Sequence, residues 1–269
     1  MGKVLHGFGL FACIAVLLAL CLLLILHDGK YCCGRVQKKQ VNESQSIGGS
    51  SNLFEGSWVH DDTYPLYDTF SSCPFVEKEF DCRKNGRPDS QYLKLRWKPD
   101  TCALPRFNGM DMLRRLKGKK ILFVGDSLIL NQWQSLTCML HSAVPKTNYT
   151  LTRKGDLSTF SLPEFEVSIM MSRNAFLVDL VKTRTGGSMV LKLDSIENGN
   201  AWKGYDMLIF NTWHWWLHKG SKQPISHFRP IFGKRIYIGF AIETWKKNMN
   251  LVIIRAPLNL SFLAYNSVS

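Results

Sequence analysis

The chain has 269 residues, of which 45% are hydrophobic and 20% are charged. This composition is typical of a globular protein that buries a sizeable core, and it excludes a largely disordered chain. The formal net charge of +13 is compatible with binding to anionic lipid, acidic polysaccharide or nucleic acid. The sequence contains no zinc-finger or RNA-binding motif, so we expect no nucleic-acid partner.

The N-terminus carries an uncharged stretch of twenty residues, 7–26, that is rich in Leu, Ile, Val and Ala. A helix of this length rises about 30 Å, which matches the hydrocarbon core of a bilayer. A cleaved signal peptide needs a shorter apolar core and a cleavage site of small residues, and 27–31 offer none. Residues 1–27 are therefore predicted to form a short tail and a signal-anchor transmembrane helix.

The orientation of this helix is contested within the sequence. One lysine precedes the span and four basic residues follow it between positions 30 and 39, which directs the body to the cytosol by the positive-inside rule. Glycosylation sequons favour the lumen instead, and they begin at Asn42, Asn148 and Asn259. The body also has an even number of cysteines, which permits two disulfides in three connectivities. The disulfide candidates are Cys73, Cys82, Cys102 and Cys138.

Two segments of different amino-acid composition follow the predicted transmembrane helix. Residues 28–52 are rich in Gln, Asn, Ser and Gly, and they predict a flexible stem. Residues 53–109 interleave aromatic residues, Pro, Gly and Cys without a sustained helical or strand period. This pattern predicts an irregular segment that is stapled by disulfides and packed on a neighbour.

The central stretch predicts a strand, a tight turn and a helix. Two lysines and four consecutive apolar residues, 119–124, are typical of a buried parallel strand. Gly125-Asp126-Ser127 interrupts the run, and residues 129–140 have helical spacing. Ser127 is thus expected where free N–H groups and the helix dipole favour negative charge. A serine that only caps the helix is the alternative interpretation.

A second strand end is expected at Asn211. An apolar run, 207–210, precedes this residue and places it at the carboxyl end of a strand, level with Ser127. Its amide is suited to donate to an oxyanion, although an Asn that caps a turn is the alternative. His214 and His218 are four residues apart, but no third ligand stands nearby, so we predict no metal.

Several short motifs occur in an order typical of one family. They are Phe54-Glu55-Gly56-Ser57-Trp58-Val59, Tyr64-Pro65-Leu66-Tyr67, Asn85-Gly86-Arg87-Pro88-Asp89, Arg96-Trp97-Lys98-Pro99, Leu104-Pro105-Arg106-Phe107, Phe123-Val124-Gly125-Asp126-Ser127-Leu128 and Asn211-Thr212-Trp213-His214-Trp215-Trp216. By these motifs the chain resembles plant trichome birefringence-like proteins of the PC-esterase family. Those proteins are related to the GDSL/SGNH hydrolases, and they act as polysaccharide O-acetyltransferases. The resemblance covers residues 53–224.

The resemblance implies a fold and a location. The fold would be an SGNH-like three-layer α/β/α arrangement with a mainly parallel sheet, in a partial PC-esterase domain at 110–224 that is incomplete at its C-terminus. The transmembrane helix and the Cys- and Trp-rich segment would precede it. Residues 225–269 form a divergent tail with apolar runs at 236–238 and 251–254. One further strand is one interpretation of this tail, and an alternative transcript or an intron read as coding sequence is the other. The resemblance also implies a type II Golgi membrane protein with its body in the lumen, where Asn42 and Asn148 would be glycosylation sites.

The resemblance also implies roles for particular residues. Ser127 would be the nucleophile that carries an acetyl group, and Asp126, Arg173 and Asn211 would contact the oxyanion or the substrate. An acetyl donor would be a co-substrate and no cofactor would be needed. The expected partner is a cell-wall polysaccharide, namely xylan, mannan, xyloglucan or pectin.

One catalytic element of the family is absent from this sequence. An acyl-transfer serine needs a base, which the family supplies from an Asp-x-x-His element near the C-terminus. Here no Asp is followed three residues later by His. His141 lies about 21 Å from Ser127 along a continuous helix and cannot replace it. We expect an O-acetyltransferase-like protein with impaired turnover, apparently truncated before this element. A non-catalytic protein that binds pectin or another wall polysaccharide is the alternative.

Overall fold

The computed structural model describes residues 56–68, 72–101, 103–182, 189–192, 194–212 and 215, and the backbone of the strands at 251–255 and 261–266. The expected transmembrane helix, the stem and Asn42 lie outside these ranges. Within them, no helix is long and apolar enough to cross a membrane. The membrane anchor therefore stays a prediction.

The chain divides into two compact units. The first, here called the N-terminal unit, contains residues up to 112 and residues 134–145. The second, here called the sheet unit, contains residues 113–133 and 146–269. The domain boundaries expected from the sequence stay predictions beside this division.

The N-terminal unit is built on a short antiparallel ribbon. Strand β1 (Gly56–His60) pairs with strand β2 (Leu95–Pro99), and Trp58 stands opposite Trp97. The two indole rings meet edge to face with their centroids 5.5 Å apart, a favoured geometry for an aromatic pair. Turns and short 3-10 helices make up most of the segment between the two strands.

A disulfide joins the segment after the ribbon's first strand to a long helix. Cys73 is bonded to Cys138, with their Cα atoms 5.1 Å apart. Beside this bond, His141 Nδ1 lies 2.9 Å from the carbonyl oxygen of Ser72. Of the other two disulfide candidates, Cys82 forms no disulfide in the described structure, and Cys102 lies outside the described residues.

The sheet unit contains a seven-stranded sheet. Helix α1 (Gly109–Arg115) precedes strand β3 (Lys120–Gly125), and helix α2 (Ser127–Ala143) follows it. The next strands are β4 (Thr150–Lys154), β5 (Leu157–Leu162), β6 (Val167–Arg173), β7 (Asp179–Lys182), β8 (Met189–Lys192), β9 (Met207–Asn211), β10 (Leu251–Arg255) and β11 (Ser261–Asn266). Their order is β10-β11-β9-β3-β6-β5-β4, and β7 and β8 form a separate ribbon.

The sheet is mixed, and the prediction of a mainly parallel sheet is wrong. Of the strands within the described ranges, only β9, β3 and β6 run parallel to one another. Antiparallel hairpins extend the sheet at both edges of these three strands. The β4-β5 hairpin pairs with β6, and the β10-β11 hairpin pairs with β9. A hairpin needs a short turn, whereas a parallel crossover needs a dozen or more residues. Of the two apolar runs in the tail, 251–254 forms part of β10, and 236–238 lies outside the described residues.

Different kinds of structure cover the two faces of the parallel trio. On one face, Trp133 of α2 is fully buried and its Nε1 donates to the carbonyl oxygen of Ile169 at 2.9 Å. On the other face, Val124 and Phe210 pack in a core cluster with Phe176 and Trp202. This second cover consists of loop, the β7-β8 ribbon and a 3-10 helix at 197–202. The described residues thus lack the second helical layer that a three-layer fold predicts.

Asp179 organises that second cover. Its buried carboxylate accepts hydrogen bonds from Ser195 Oγ, from the Glu197 N–H at 2.7 Å and from the Asn198 N–H at 3.1 Å. Burial by itself raises the pKa of this carboxyl group, but the three hydrogen bonds outweigh it and hold the pKa below its usual value. The carboxylate therefore fixes the start of the 3-10 helix at 197–202.

We expect Asp179→Ala to lower the free energy of unfolding by about 2–3 kcal/mol at neutral pH, since three donors lose a shared buried acceptor. The folded-state pKa of Asp179 is depressed, so its contribution is complete above about pH 4 and disappears as the pH falls through the folded-state pKa. Urea unfolding at about pH 7 and about pH 3 measures both effects. Asp194→Ala, at an exposed neighbouring carboxylate, is the control. An equal loss in both variants would contradict this role.

We expect Cys73→Ser to lower the free energy of unfolding by about 2–4 kcal/mol, because the Cys73–Cys138 bond closes a long loop of the unfolded chain. Cys82→Ser is the matched control, with an expected change within about 0.5 kcal/mol. Thermal unfolding without reductant compares the two variants. Equal melting temperatures for both variants would show that the disulfide does not stabilise the fold.

Candidate active site

Three parallel strands end at the same level. Gly125 at the end of β3 is paired with Arg173 at the end of β6 and with Asn211 at the end of β9. Paired residues of parallel strands direct their side chains to the same face of the sheet. The structure therefore brings Arg173 and Asn211 to both sides of the turn that leads to Ser127. This convergence is what the sequence predicted for Asn211 and Ser127.

Gly125 is required at this turn by the approach of the neighbouring strand. A Cβ atom at this position would lie 2.0 Å from the carbonyl oxygen of Asn211, a contact that no side chain tolerates. It would also lie 3.1 Å from Cβ of Ile129, so this face of the sheet is the one that helix α2 covers. The absent side chain lets β3 and β9 remain paired up to the point where α2 begins.

Asp126, and not Ser127, caps helix α2. Oδ1 of Asp126 accepts a hydrogen bond from the Leu128 N–H at 2.8 Å, and its carbonyl oxygen accepts from the Leu130 N–H at 3.1 Å. The Asp126 side chain is buried, whereas Ser127 is exposed. The interpretation of Ser127 as a simple helix cap is therefore wrong. Its hydroxyl is presented to solvent at the positive end of the helix dipole.

The Asn211 amide is buried and incompletely bonded. Its side chain is 4% exposed, and Oδ1 has no hydrogen-bond partner in the described part of the chain. A buried polar atom without a partner costs about 1–3 kcal/mol, so such an atom needs an explanation, such as a role in catalysis or a bound water or ion. The oxygen and nitrogen of an Asn amide are interchangeable by a flip. A flip would therefore place the Nδ2 donor where the unbonded atom of Asn211 lies.

A loop after β6 ties the strand ends together. The Asn174 N–H donates to the carbonyl oxygen of Gly125 at 2.7 Å, and Asn174 Oδ1 accepts from the Leu177 N–H at 2.7 Å. Thr212 Oγ1 donates to the carbonyl oxygen of Ala175. Leu177 has a φ of 59°, an uncommon conformation for a residue other than Gly, Asn or Asp. The loop is thus held from β3 and from β9 simultaneously.

Sequence reasoning singled out Arg173 at this loop and overlooked Thr212. Arg173 is exposed, whereas Thr212 is 2% exposed and bonded across the strand ends. In the sequence, the one indication that Thr212 belongs to the site is its position directly after Asn211. A threonine hydroxyl in that place has a backbone carbonyl as its natural partner.

The described residues of the sheet unit contain no histidine that could act as the base for Ser127. In the N-terminal unit, His141 contacts Ser72 and His60 lies 3.9 Å from Asp62, whereas His214, His218 and His227 lie outside the described ranges. Asp206 lies at the opposite end of β9, where Oδ2 accepts from the Lys120 N–H at 2.8 Å and Oδ1 lies 3.2 Å from Lys119 Nζ. Across the described residues, no group of three His, Cys, Asp or Glu side chains could hold a metal ion.

We expect Thr212→Val to lower the free energy of unfolding by about 1–2 kcal/mol and to speed amide exchange across residues 125–128, since the half-buried carbonyl of Ala175 loses its donor. Thr212→Ser keeps a hydroxyl and is the matched control. Hydrogen exchange followed by mass spectrometry measures the effect. Unchanged exchange in Thr212→Val would contradict the linkage between the loop and the turn.

Two family models match the chain. Residues 104–248 match the PC-Esterase model, a GDSL/SGNH-like acyl-esterase family found in Pmr5 and Cas1p, and residues 50–103 match the PMR5 N-terminal domain. The first match continues past residue 224, where the motif resemblance ends.

Curated relatives from Arabidopsis thaliana agree with these matches. Protein trichome birefringence-like 43 is 58% identical over 197 residues, which are 69% of this chain and 52% of the relative. Protein trichome birefringence-like 39 is 52% identical over 213 residues, 76% of this chain and 57% of the relative. The chain thus spans about half the length of the relatives it matches. It belongs to the PC-esterase family of GDSL/SGNH-like acyl-esterases, in the trichome birefringence-like group.

Proposed function

We propose that the chain carries the nucleophile of a cell-wall polysaccharide O-acetyltransferase, with Ser127 as the acyl carrier. The observation that supports this proposal is the pairing of Gly125 with Asn211, which sets a partly unbonded amide beside the turn to an exposed serine. A nucleophile and an oxyanion donor at adjacent strand ends are the two parts that acyl transfer needs first.

The first step forms an acyl-serine. Ser127 Oγ attacks the carbonyl carbon of an acetyl donor, and its proton passes to a base. The negative charge on the carbonyl oxygen is stabilised by the Asn211 amide and by the N–H groups at the start of α2, contacts worth about 3 kcal/mol each in working sites. The bond to the leaving group then breaks, and the leaving group takes the proton.

The second step transfers the acetyl group to a sugar. A hydroxyl of the polysaccharide attacks the acyl carbon, passes its proton to the base, and forms the ester product. The bond to Ser127 Oγ breaks and the serine recovers a proton. The acceptor classes that we propose are xylan, mannan, xyloglucan and pectin, and acetylation assays with each polymer in parallel distinguish them.

The location that we propose is the Golgi lumen. The Cys73–Cys138 bond supports it, since disulfides persist in oxidising compartments.

We further propose that the 269-residue polypeptide turns over slowly by itself. Its sequence contains no Asp-x-x-His element to supply the base and its orienting carboxylate. Removal of a base of this kind from acyl-transfer enzymes lowers turnover by about 10⁴-fold or more. The serine and the oxyanion donor remain, so an added base should restore part of the first step.

A second candidate function is non-catalytic binding of wall polysaccharide. The formal net charge of +13 favours an acidic polymer such as pectin, because a basic protein raises the local concentration of an anionic one. This function needs no base and no acyl-serine. It differs from the first candidate in one measurable property, since binding would persist in a chain that never becomes acylated.

We expect p-nitrophenyl acetate to acetylate Ser127 slowly, and imidazole, as an external base, to speed acetylation about tenfold or more. Intact mass and peptide mapping identify the modified residue. Ser127→Ala should show no imidazole-dependent adduct on the peptide that contains residue 127. Ser90→Ala, at an exposed serine whose side chain makes no capping hydrogen bond, should behave as the unaltered chain.

Absence of the adduct at Ser127 with imidazole present, in a chain that still binds polysaccharide, would reject the enzyme and support the binding protein. An adduct that survives in Ser127→Ala would place the nucleophile elsewhere.

A further inference from the structure

We propose that Asn148 carries an N-linked glycan that shields the free edge of the seven-stranded sheet at strand β4. Asn148-Tyr149-Thr150 is an acceptor sequon, and it runs directly into β4. The inference is independent of acyl transfer, because β4 is an edge strand of the sheet and lies three strands away from β3, which leads to Ser127. It rests on the accessibility of the sequon and on the chemistry of the edge that follows it.

The sequon presents its two essential side chains to solvent. Burial alternates from Asn148 to Thr152: Asn148, Thr150 and Thr152 are exposed, while Tyr149 and Leu151 are half-buried. An alternation with a period of two is that of an extended strand with one face covered. Asn148 and Thr150 therefore point to the same, open side. The amide and the hydroxyl of the sequon are thus accessible together.

Tyr149 fixes the sequon to the sheet. Its ring stacks on Phe160 of β5 with the centroids 5.7 Å apart and the planes 25° apart. Phe160 is 1% exposed, so this contact belongs to the core and not to a mobile surface. Asn148 is consequently held at the start of β4, although it lies outside the ladder itself.

Strand β4 is the end of the sheet. Among the strands that the structure describes it pairs with β5 alone, so one row of its N–H and C=O groups faces away from this sheet. Exposed edges invite pairing with another chain, and proteins protect them with charges or with a cover. Arg153 and Lys154 place two positive charges at the far end of β4. The near end, 150–152, has no charge, and this is the end next to Asn148.

A glycan rooted two residues before β4 covers the unprotected end. The modification joins Asn148 Nδ2 to the anomeric carbon of an oligosaccharide. The bond from that carbon to the pyrophosphate of a lipid-linked donor breaks, and the amide proton leaves with the pyrophosphate. The polar, branched product is bulky and stays at the surface. The glycan occupies the space that a docking strand would need at 150–152, whereas the charges of Arg153 and Lys154 oppose pairing at the other end of β4.

The full chain is produced in insect cells with its N-terminal segment, solubilised in mild detergent and compared with three variants. Asn148→Gln and Thr150→Ala remove the sequon through different residues, and Thr150→Ser retains it. We expect the first two to lose the mass of one glycan and the third to match the unaltered chain. Glycopeptide mapping assigns the site, because Asn42 and Asn259 are also sequons.

Self-association is then measured by sedimentation. We expect the aggregated fraction to rise about threefold or more in Asn148→Gln and in Thr150→Ala. The same rise should follow enzymatic removal of glycans from the folded, unaltered chain, which excludes a folding defect as the cause. Adding Thr152→Lys to Asn148→Gln should restore the unaltered behaviour, since a lysine on the edge replaces the shield.

An unmodified Asn148 in the unaltered chain would overturn the proposal. So would a modified Asn148 whose removal, by both substitutions and by the enzyme, leaves self-association unchanged.

Discussion

The carbonyl oxygen of Asn211 occupies the space in which a side chain of residue 125 would stand. Because Gly125 has none, β3 and β9 stay paired to their last residues, and the turn to α2 begins at the level of the Asn211 amide. Asp126 then takes over the capping of the helix, which leaves Ser127 exposed. Replacement of Gly125 would separate the strands at the point where the proposed chemistry takes place. Each later feature of the site depends on this contact.

The site was easier to predict than the sheet around it. An apolar run that ends in Gly-Asp-Ser, and another that ends in Asn211, are local patterns, and the carboxyl ends of parallel strands meet at one edge. The hairpins that make the sheet mixed depend on which strands pair at a distance, which burial patterns do not encode. The role of Thr212 was equally hidden, because its partner is the carbonyl oxygen of Ala175, a backbone atom 37 residues away.

Correct geometry and turnover are separate properties of this chain. The strand ends, the cap and the buried amide are built by residues 121–212, and none of them requires the Asp-x-x-His element. A base enters acyl transfer only by moving a proton. The same scaffold is therefore compatible with a carrier that waits for a base and with a protein that binds sugar without reacting. The imidazole-dependent adduct separates the two because it tests the serine without its native base.

Asp206 has a consequence at the far end of β9. It binds the backbone N–H of Lys120 and lies beside the Lys119 ammonium group, and its own N–H donates to the Lys120 carbonyl oxygen. Side chains alternate along a strand, so a slip of one residue would send the Asn211 amide to the face that holds Trp202. The contacts of Asp206 with Lys119 and Lys120 thus fix the pairing register of β9 with β3 at the end of the strand opposite to Ser127. A shift of this register by one residue would remove the Asn211 amide from the site.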